Sequence, residues 1–316
     1  MYVQPIPLSL FAPTCSPEIE KLVRETHGFI SYLSEKGAPD PSDYFMLNTI
    51  LQCFSGDKSK SMLSEDHFQR IREAFGEALS PDTIQGWAYH KPLGYAGDFQ
   101  IIEKIYTYHT SSNPYLAKWD RFAHYQTATK AIRNRISFFL DQVWKAKTRT
   151  TSNCQILNLA SGPGRDMHET FSTLGTEGIQ LDCVEQDPQA IDYAMDLCKN
   201  FLSHIQFFNK NVLRFTTTKH YNLIWSGGLF DYFNDSIFKR MLRRLLLLLK
   251  NNGKLIIGNF STTNPSRGYM DLFHWNLIHR TREELRQLAK DCGVSDQKIS
   301  IEQEPEGINL FLVIAN

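Results

Sequence analysis

The chain has 316 residues, 42% of them hydrophobic, enough to bury one large or two small cores and too many for bulk disorder. Lysine plus arginine equals aspartate plus glutamate at 34 each, so no global charge draws the chain to nucleic acid or to an anionic membrane. The six cysteines, Cys15, Cys53, Cys154, Cys183, Cys198 and Cys292, show no CxxC spacing and no neighbouring histidines at zinc spacing, so no metal is expected. Cys154 and Cys183 lie in apolar stretches and read as small buried hydrophobes in a reducing compartment. The stretch from Met1 to Pro7 lacks a basic region followed by an apolar run, so no signal peptide is expected. The run Leu245 to Leu249, bounded by Arg244 and Lys250, is far too short to span a bilayer. The expectation is a cytoplasmic protein with no stable membrane insertion.

The first half reads as helical. Ile19, Leu22, Val23, Phe29, Ile30 and Leu33 follow a helical period from Pro17 to Lys36, and Gly37 ends it. Asp40 to Phe54 and Ser64 to Leu79 carry similar patterns, with Ser64 as a cap and Glu65 and Asp66 in the first turn. Pro114 to Lys147 reads as one or two helices.

The polar stretch Thr148 to Asn153 marks a domain boundary. Beyond it, strands and helices alternate. Strands are expected at 155–160, 180–185, 205–208, 221–226 and 254–260, with helices at 165–174, 188–202, 236–250 and 281–292. Two final runs, 298–304 and 308–315, lack an intervening helix and read as an antiparallel pair. The alternation predicts a parallel sheet with helices on both faces and one reversed strand.

The sharpest signal is the run from Ile156 to Asp166, in which an apolar strand enters a turn carrying Gly162 and Gly164 and then a helix. Glycine lets the backbone turn tightly and a ligand approach it closely. About twenty residues on, the next strand ends at Glu185, whose carboxylate can accept both ribose hydroxyls of a nucleoside lying across the strand ends. A nicotinamide dinucleotide needs glycine at the first, third and sixth positions. Counted from Gly162, the sixth is Met167, and Pro163 stands between the two glycines.

The run resembles the first motif of class I S-adenosylmethionine-dependent methyltransferases. The resemblance implies that Ala160, Ser161, Gly162 and Gly164 meet the methionine part of S-adenosyl-L-methionine, that Glu185, followed by Gln186, holds the ribose, and that Asn211, followed by Val212, lies near the adenine. Ser226 and Gly227, in the segment Ile224 to Tyr232, then line the cofactor and its reactive methyl. The implied fold is α/β, a Rossmann-like seven-stranded methyltransferase sheet with an antiparallel last strand over 148–316, preceded by an all-helical domain over 1–147.

His90-Lys91-Pro92-Leu93-Gly94-Tyr95-Ala96-Gly97-Asp98-Phe99 is similar to a signature of a bacterial group described as making 3-hydroxypalmitic acid methyl ester. Arg133-Asn134-Arg135 and the stretch from Gly258 to Arg280 also resemble that group. A tight loop around Tyr95 can lid the cofactor, with Tyr95 and Asp98 facing it within a lid segment 87–106; Asp98 can also cap the helix that begins near Phe99, and the two roles can coexist.

The expected reaction is methylation of a small molecule, with O-methylation of a fatty acid or other carboxylate implied by this resemblance. Such an acceptor is ionised near neutral pH and needs a cation or hydrogen-bond donor, not a base. Arg280 or His274 can supply that group, His274 can act as base for an amine or phenol, and Tyr232 lies after the fourth strand. Tyr269, Met270 and Trp275 can line an apolar channel. Alternatives are N- or O-methylation of another metabolite and a cofactor-binding regulatory module without turnover. No Asp/Asn-Pro-Pro-aromatic motif, Pro-Cys nucleophile or basic aromatic stripe points to nucleic acid. A homodimer stays open.

Overall fold

The computed structural model describes residues 16–55 and 63–316, with the side chain of Ser16 left aside. Cys15 and the Met1 to Pro7 segment lie outside the described residues. The helices and strands, in chain order, are α1 (Ser16–Glu35), α2 (Tyr44–Gln52), α3 (Glu65–Glu73), α4 (Ile84–His90), α5 (Phe99–Tyr106), α6 (Pro114–Tyr125), α7 (Thr127–Thr148), β1 (Cys154–Leu159), α8 (Arg165–Leu174), β2 (Ile179–Glu185), α9 (Pro188–Leu197), β3 (Ile205–Asn209), β4 (Tyr221–Ser226), α10 (Asp235–Leu246), β5 (Leu249–Phe260), α11 (Arg267–Leu272), α12 (Arg282–Lys290), β6 (Ile299–Gln303) and β7 (Asn309–Ala315).

The chain divides into two compact units. One comprises the described residues up to Ala96, with Tyr108–Gln126 and Pro265–Asn276; the other comprises Gly97–Thr107, Thr127–Asn264 and Leu277–Asn316. This differs from a single cut near residue 148. Helices α5 and α7 belong with the sheet, because α7 lays Phe139 and Val143 into the sheet's own apolar core. Conversely, α11 belongs with the helical unit. Gly268 sits so close to α2 that a Cβ there would lie 2.0 Å from the Leu51 carbonyl oxygen.

In the helical unit, Ser64 caps α3 by accepting from the His67 N–H, as its position before an acidic first turn predicts. The pattern over 114–147 resolves into two helices: α6 ends at Tyr125, where Gln126 turns to extended backbone, and α7 follows. Helices α4 and α11 escape the hydrophobic period because they have only seven and six residues.

The sheet has seven strands in the order β3-β2-β1-β4-β5-β7-β6. Strands β1 to β5 pair in parallel, and β7 runs antiparallel to both β5 and β6. This is the Rossmann-like sheet with a reversed last strand expected from the sequence. Side chains alternate across it with period two. Leu157, Leu159, Ile224, Leu255, Ile257, Leu312 and Ile314 meet α10 and α12 on one face. Ile156, Leu223, Trp225, Ile256, Phe311 and Val313 meet α7 and α8 on the other. Each large apolar side chain buried there stabilises by roughly 1.5–3 kcal/mol.

One boundary departs from expectation. Leu249 pairs with Tyr221 and Lys254 with Leu223, so β5 begins before the Asn251-Asn252-Gly253 segment, which bulges out of the ladder. Among the described residues no helix is long and apolar enough to cross a membrane.

Candidate functional site at the carboxyl ends of the parallel strands

Strand order reverses between β1 and β4, the place where open α/β sheets bind ligands. The loop after β1 opens with Ala160 at φ +53, followed by Gly162 at +54 and Gly164 at +75. Left-handed backbone is open to glycine and strained for alanine. The two glycines serve differently. A Cβ on Gly162 would meet nothing within 4 Å, so this part of the bend faces open space. A Cβ on Gly164 would lie 2.7 Å from Met167 Cε and 2.9 Å from Ala194 Cβ, so this glycine lets α9 pack against the turn. Just before them, the buried Ser161 hydroxyl has no hydrogen-bond partner among the described residues.

Glu185 ends β2 and is 6% exposed. Its Oε2 accepts from the Gly162 N–H at 3.0 Å, and its Oε1 accepts from the N–H groups of Gln186 at 2.7 Å and Asp187 at 3.0 Å. A carboxylate offers about four lone-pair sites, so acceptor capacity remains after these three bonds. Farther along the strand ends, the exposed Asn211 donates from Nδ2 to Gln186 Oε1 at 2.8 Å and accepts from the Leu213 N–H. Val212 faces inward and packs in the core. On the β4 side, Ser226 is buried with its hydroxyl 3.4 Å from the Leu159 carbonyl oxygen, and Gly227 is half-buried. These residues, from Ala160 to Gly227, come together along one edge of the sheet.

Asp166, in the first turn of α8, was not singled out from the sequence. It accepts from the Met167 N–H at 2.9 Å and from Asn158 Nδ2 at 3.2 Å, while desolvation pushes its carboxyl up to about 6. Arg165 beside it pairs with Glu103 of α5, which also accepts from the Tyr193 hydroxyl at 2.9 Å. These contacts fasten α5 across the turn and α9. The signal in the sequence was an acidic residue just inside a helix that follows a glycine bend.

Asp98 is fully buried and caps α5, its Oδ1 accepting from the N–H groups of Gln100 and Ile101, the capping role read from the sequence. Other expectations are corrected. Arg280 is 3% exposed, and its guanidinium bonds to Asn259 Oδ1, the carbonyls of Phe230 and Phe233, and Asp235. Those contacts occupy all five N–H groups, so none is left to orient a substrate carboxylate.

Tyr95, Tyr269, Met270, His274 and Trp275 belong to the helical unit. Tyr95 is 37% exposed on a turn bounded by Gly94 and Gly97, both at positive φ. Tyr269 is buried and donates to Gln85 Oε1 at 2.9 Å, and Met270 and Trp275 are buried in the same unit. His274 Nε2 lies 3.2 Å from both Arg72 Nη1 and Glu65 Oε1. That polar cluster, formed with α3, holds the ring. Tyr232 stays in the sheet unit, exposed on the turn after β4.

No family model matches the chain, and no curated protein matches it. Among solved structures, a Bordetella parapertussis protein described as a possible exported protein aligns with a TM-score of 0.61 and 16% identity over 96% of this chain and 99% of that one. The N-methyltransferase NodS from Bradyrhizobium japonicum, in complex with S-adenosyl-L-homocysteine, aligns over 69% of this chain and 97% of its own at 14% identity and a TM-score of 0.43. Magnesium protoporphyrin IX methyltransferase ChlM from Synechocystis aligns over 60% and 86% at 14% identity and a TM-score of 0.46. The likeness to the Bordetella protein is one of fold, and it runs through nearly the whole of both chains.

Proposed function

We propose that the chain is an S-adenosylmethionine-dependent methyltransferase acting on a small molecule, with a carboxylate, such as that of a fatty acid, as acceptor. The observation that carries this reading is the bend after β1: open space over Gly162, the orphaned Ser161 hydroxyl, and the Glu185 carboxylate drawn onto the same turn. A buried hydroxyl without a partner is costly and fits a site whose polar ligand completes it. Glu185 would hold the ribose hydroxyls, and the Gln186–Asn211 pair would flank the base.

The competing dinucleotide reading is disfavoured at Met167. Its side chain is buried in the core beneath the turn, at the position where a dinucleotide fingerprint needs glycine for close helix packing.

When bound, S-adenosylmethionine supplies a methyl group made electrophilic by its sulfonium. The chain's own contribution is to hold that group at the strand ends, align an acceptor beside it and keep water away. A carboxylate acceptor is ionised near neutral pH and needs no general base. The test is incubation of the protein with methyl-labelled S-adenosylmethionine and a pool of extracted small molecules, followed by mass spectrometry. Base-labile label that hydrolysis returns as methanol and a free acid supports the reading, base-stable label moves the acceptor to nitrogen or an ether oxygen, and cofactor binding without transfer contradicts an enzyme.

A further inference from the structure

Arg135, on α7, has no part in the cofactor site, yet it is buried to 7% exposure in the sheet unit. Its Nε donates to Asn309 Oδ1 at 2.7 Å. The nearest acid is Asp231, whose Oδ2 is 3.9 Å from Nη2, beyond hydrogen-bond distance. Among the described residues neither terminal nitrogen donates a hydrogen bond, and neither is fully enclosed, so four of the five N–H groups lack a protein acceptor and are open to water or a ligand. Arg280, at 3% exposure, has all of its N–H groups matched.

A buried guanidinium needs a counter-charge. Burial pushes the Asp231 carboxyl up to about 7, against the pull of Arg135, the Phe260 N–H and Arg280, so this acid is a weak partner near neutral pH. The Phe260 ring, 5.1 Å from Cζ, gives the cation an aromatic face and no acceptor.

The position is as informative as the missing partners. Gly228 lies two residues past the end of β4, and a Cβ there would sit 2.6 Å from Arg135 Nη1. Gly162 lies three residues past the end of β1, the parallel neighbour of β4. The unmatched donors therefore reach the same strand ends as the cofactor bend, at the switch point of the sheet.

We propose that Arg135 binds the carboxylate of the methyl acceptor. The inference rests on the methyltransferase reading and gives its acceptor site an anion-binding residue. Guanidinium and carboxylate match in geometry and charge. An ester product has lost the charge that the acid was held by, so the same residue favours acid entry and ester departure.

The test is calorimetric titration of the protein, saturated with S-adenosyl-L-homocysteine, with decanoate and benzoate and with their uncharged amides. The wild type is expected to bind at least one acid about tenfold or more tighter than its amide. Arg135→Gln is expected to erase that preference while S-adenosyl-L-homocysteine affinity stays within about threefold. Gly228→Ala provides a second variant should Arg135→Gln fail to fold: its methyl group displaces Nη1 without removing the charge, and it is expected to erase the preference too. Equal acid preference in wild type and variants overturns the proposal, as does a wild type that prefers neither acid to its amide. A wild type that does not bind S-adenosyl-L-homocysteine overturns the methyltransferase reading itself, and this inference with it.

Discussion

The backbone N–H of Gly162 donates to Oε2 of Glu185 at 3.0 Å, which ties the bend after β1 to the end of β2. The carboxylate thereby shapes the loop as well as facing the proposed ribose. Glu185→Gln loses the charge and keeps one acceptor oxygen, setting its NH2 against a backbone N–H that the carboxylate accepted. It should lower S-adenosyl-L-homocysteine affinity about tenfold or more, the worth of roughly 1.5–3 kcal/mol for hydrogen bonds to a charged group, and lower the melting temperature less than alanine does. Glu185→Ala leaves three N–H groups without their acceptor and should lower both. Titration calorimetry and thermal melts check this; unchanged affinity in both variants would remove Glu185 from the site.

The two glycines of the bend should respond unequally to alanine. Gly162→Ala meets open space and bears only the left-handed φ, roughly 1–2 kcal/mol. Gly164→Ala bears the same strain and also drives a methyl into Met167 and Ala194, adding roughly 1–3 kcal/mol. Urea unfolding should therefore rank Gly164→Ala well below Gly162→Ala. The reverse order would contradict the packing assigned to Gly164.

Arg280→Ala should destabilise the sheet unit by roughly 1–3 kcal/mol, because it leaves Asn259 Oδ1 and the carbonyls of Phe230 and Phe233 without their donor, while the exposed Asp235 is rehydrated. Lysine should rescue little, since one ammonium cannot serve a fork of acceptors. Denaturant melts check the claim. A variant that melts like the wild type yet has lost turnover would return Arg280 to the substrate.

Asp231 and Asp166 give the fold a pH signature. Burial raises both carboxyls above the ordinary aspartate value, to about 7 and about 6. The folded state therefore binds these protons more tightly than the unfolded chain does. Their stabilising contribution is complete below pH about 4 and is lost as pH rises through 6 and 7, at about 1.4 kcal/mol per pH unit per group within that window. Asp231→Asn should flatten the decline between pH 4 and 7, so that its stability relative to wild type improves with rising pH. Parallel profiles would contradict the assignment.

The sheet was legible in the sequence because its signals are local. The apolar run from Ile156 to Leu159, the glycine bend and the period-two strands each sit within a few neighbouring residues. Helix α8 starts at Arg165 and ends at Leu174, as read from the sequence. The acceptor side was less legible because its residues are defined by distant partners. Arg280 looks like a free cation until Phe230, Phe233, Asp235 and Asn259 fold around it. Arg135 looks like one charge on a helical face until α7 carries it beneath Gly228. The segment Pro265–Asn276 follows β5 in sequence, yet Gly268 fits against Leu51 and takes Tyr269, Met270 and Trp275 into the helical unit. Residue type alone did not mark that close approach.

A crystal structure of the protein grown with S-adenosyl-L-homocysteine tests the central claim most directly. The nucleoside should lie over the bend from Ala160 to Gly164, with its ribose hydroxyls on Glu185 and a polar group of the ligand meeting the Ser161 hydroxyl. A bend left empty at saturating ligand, or ligand density elsewhere with Glu185 still closed on its three backbone donors, would contradict it.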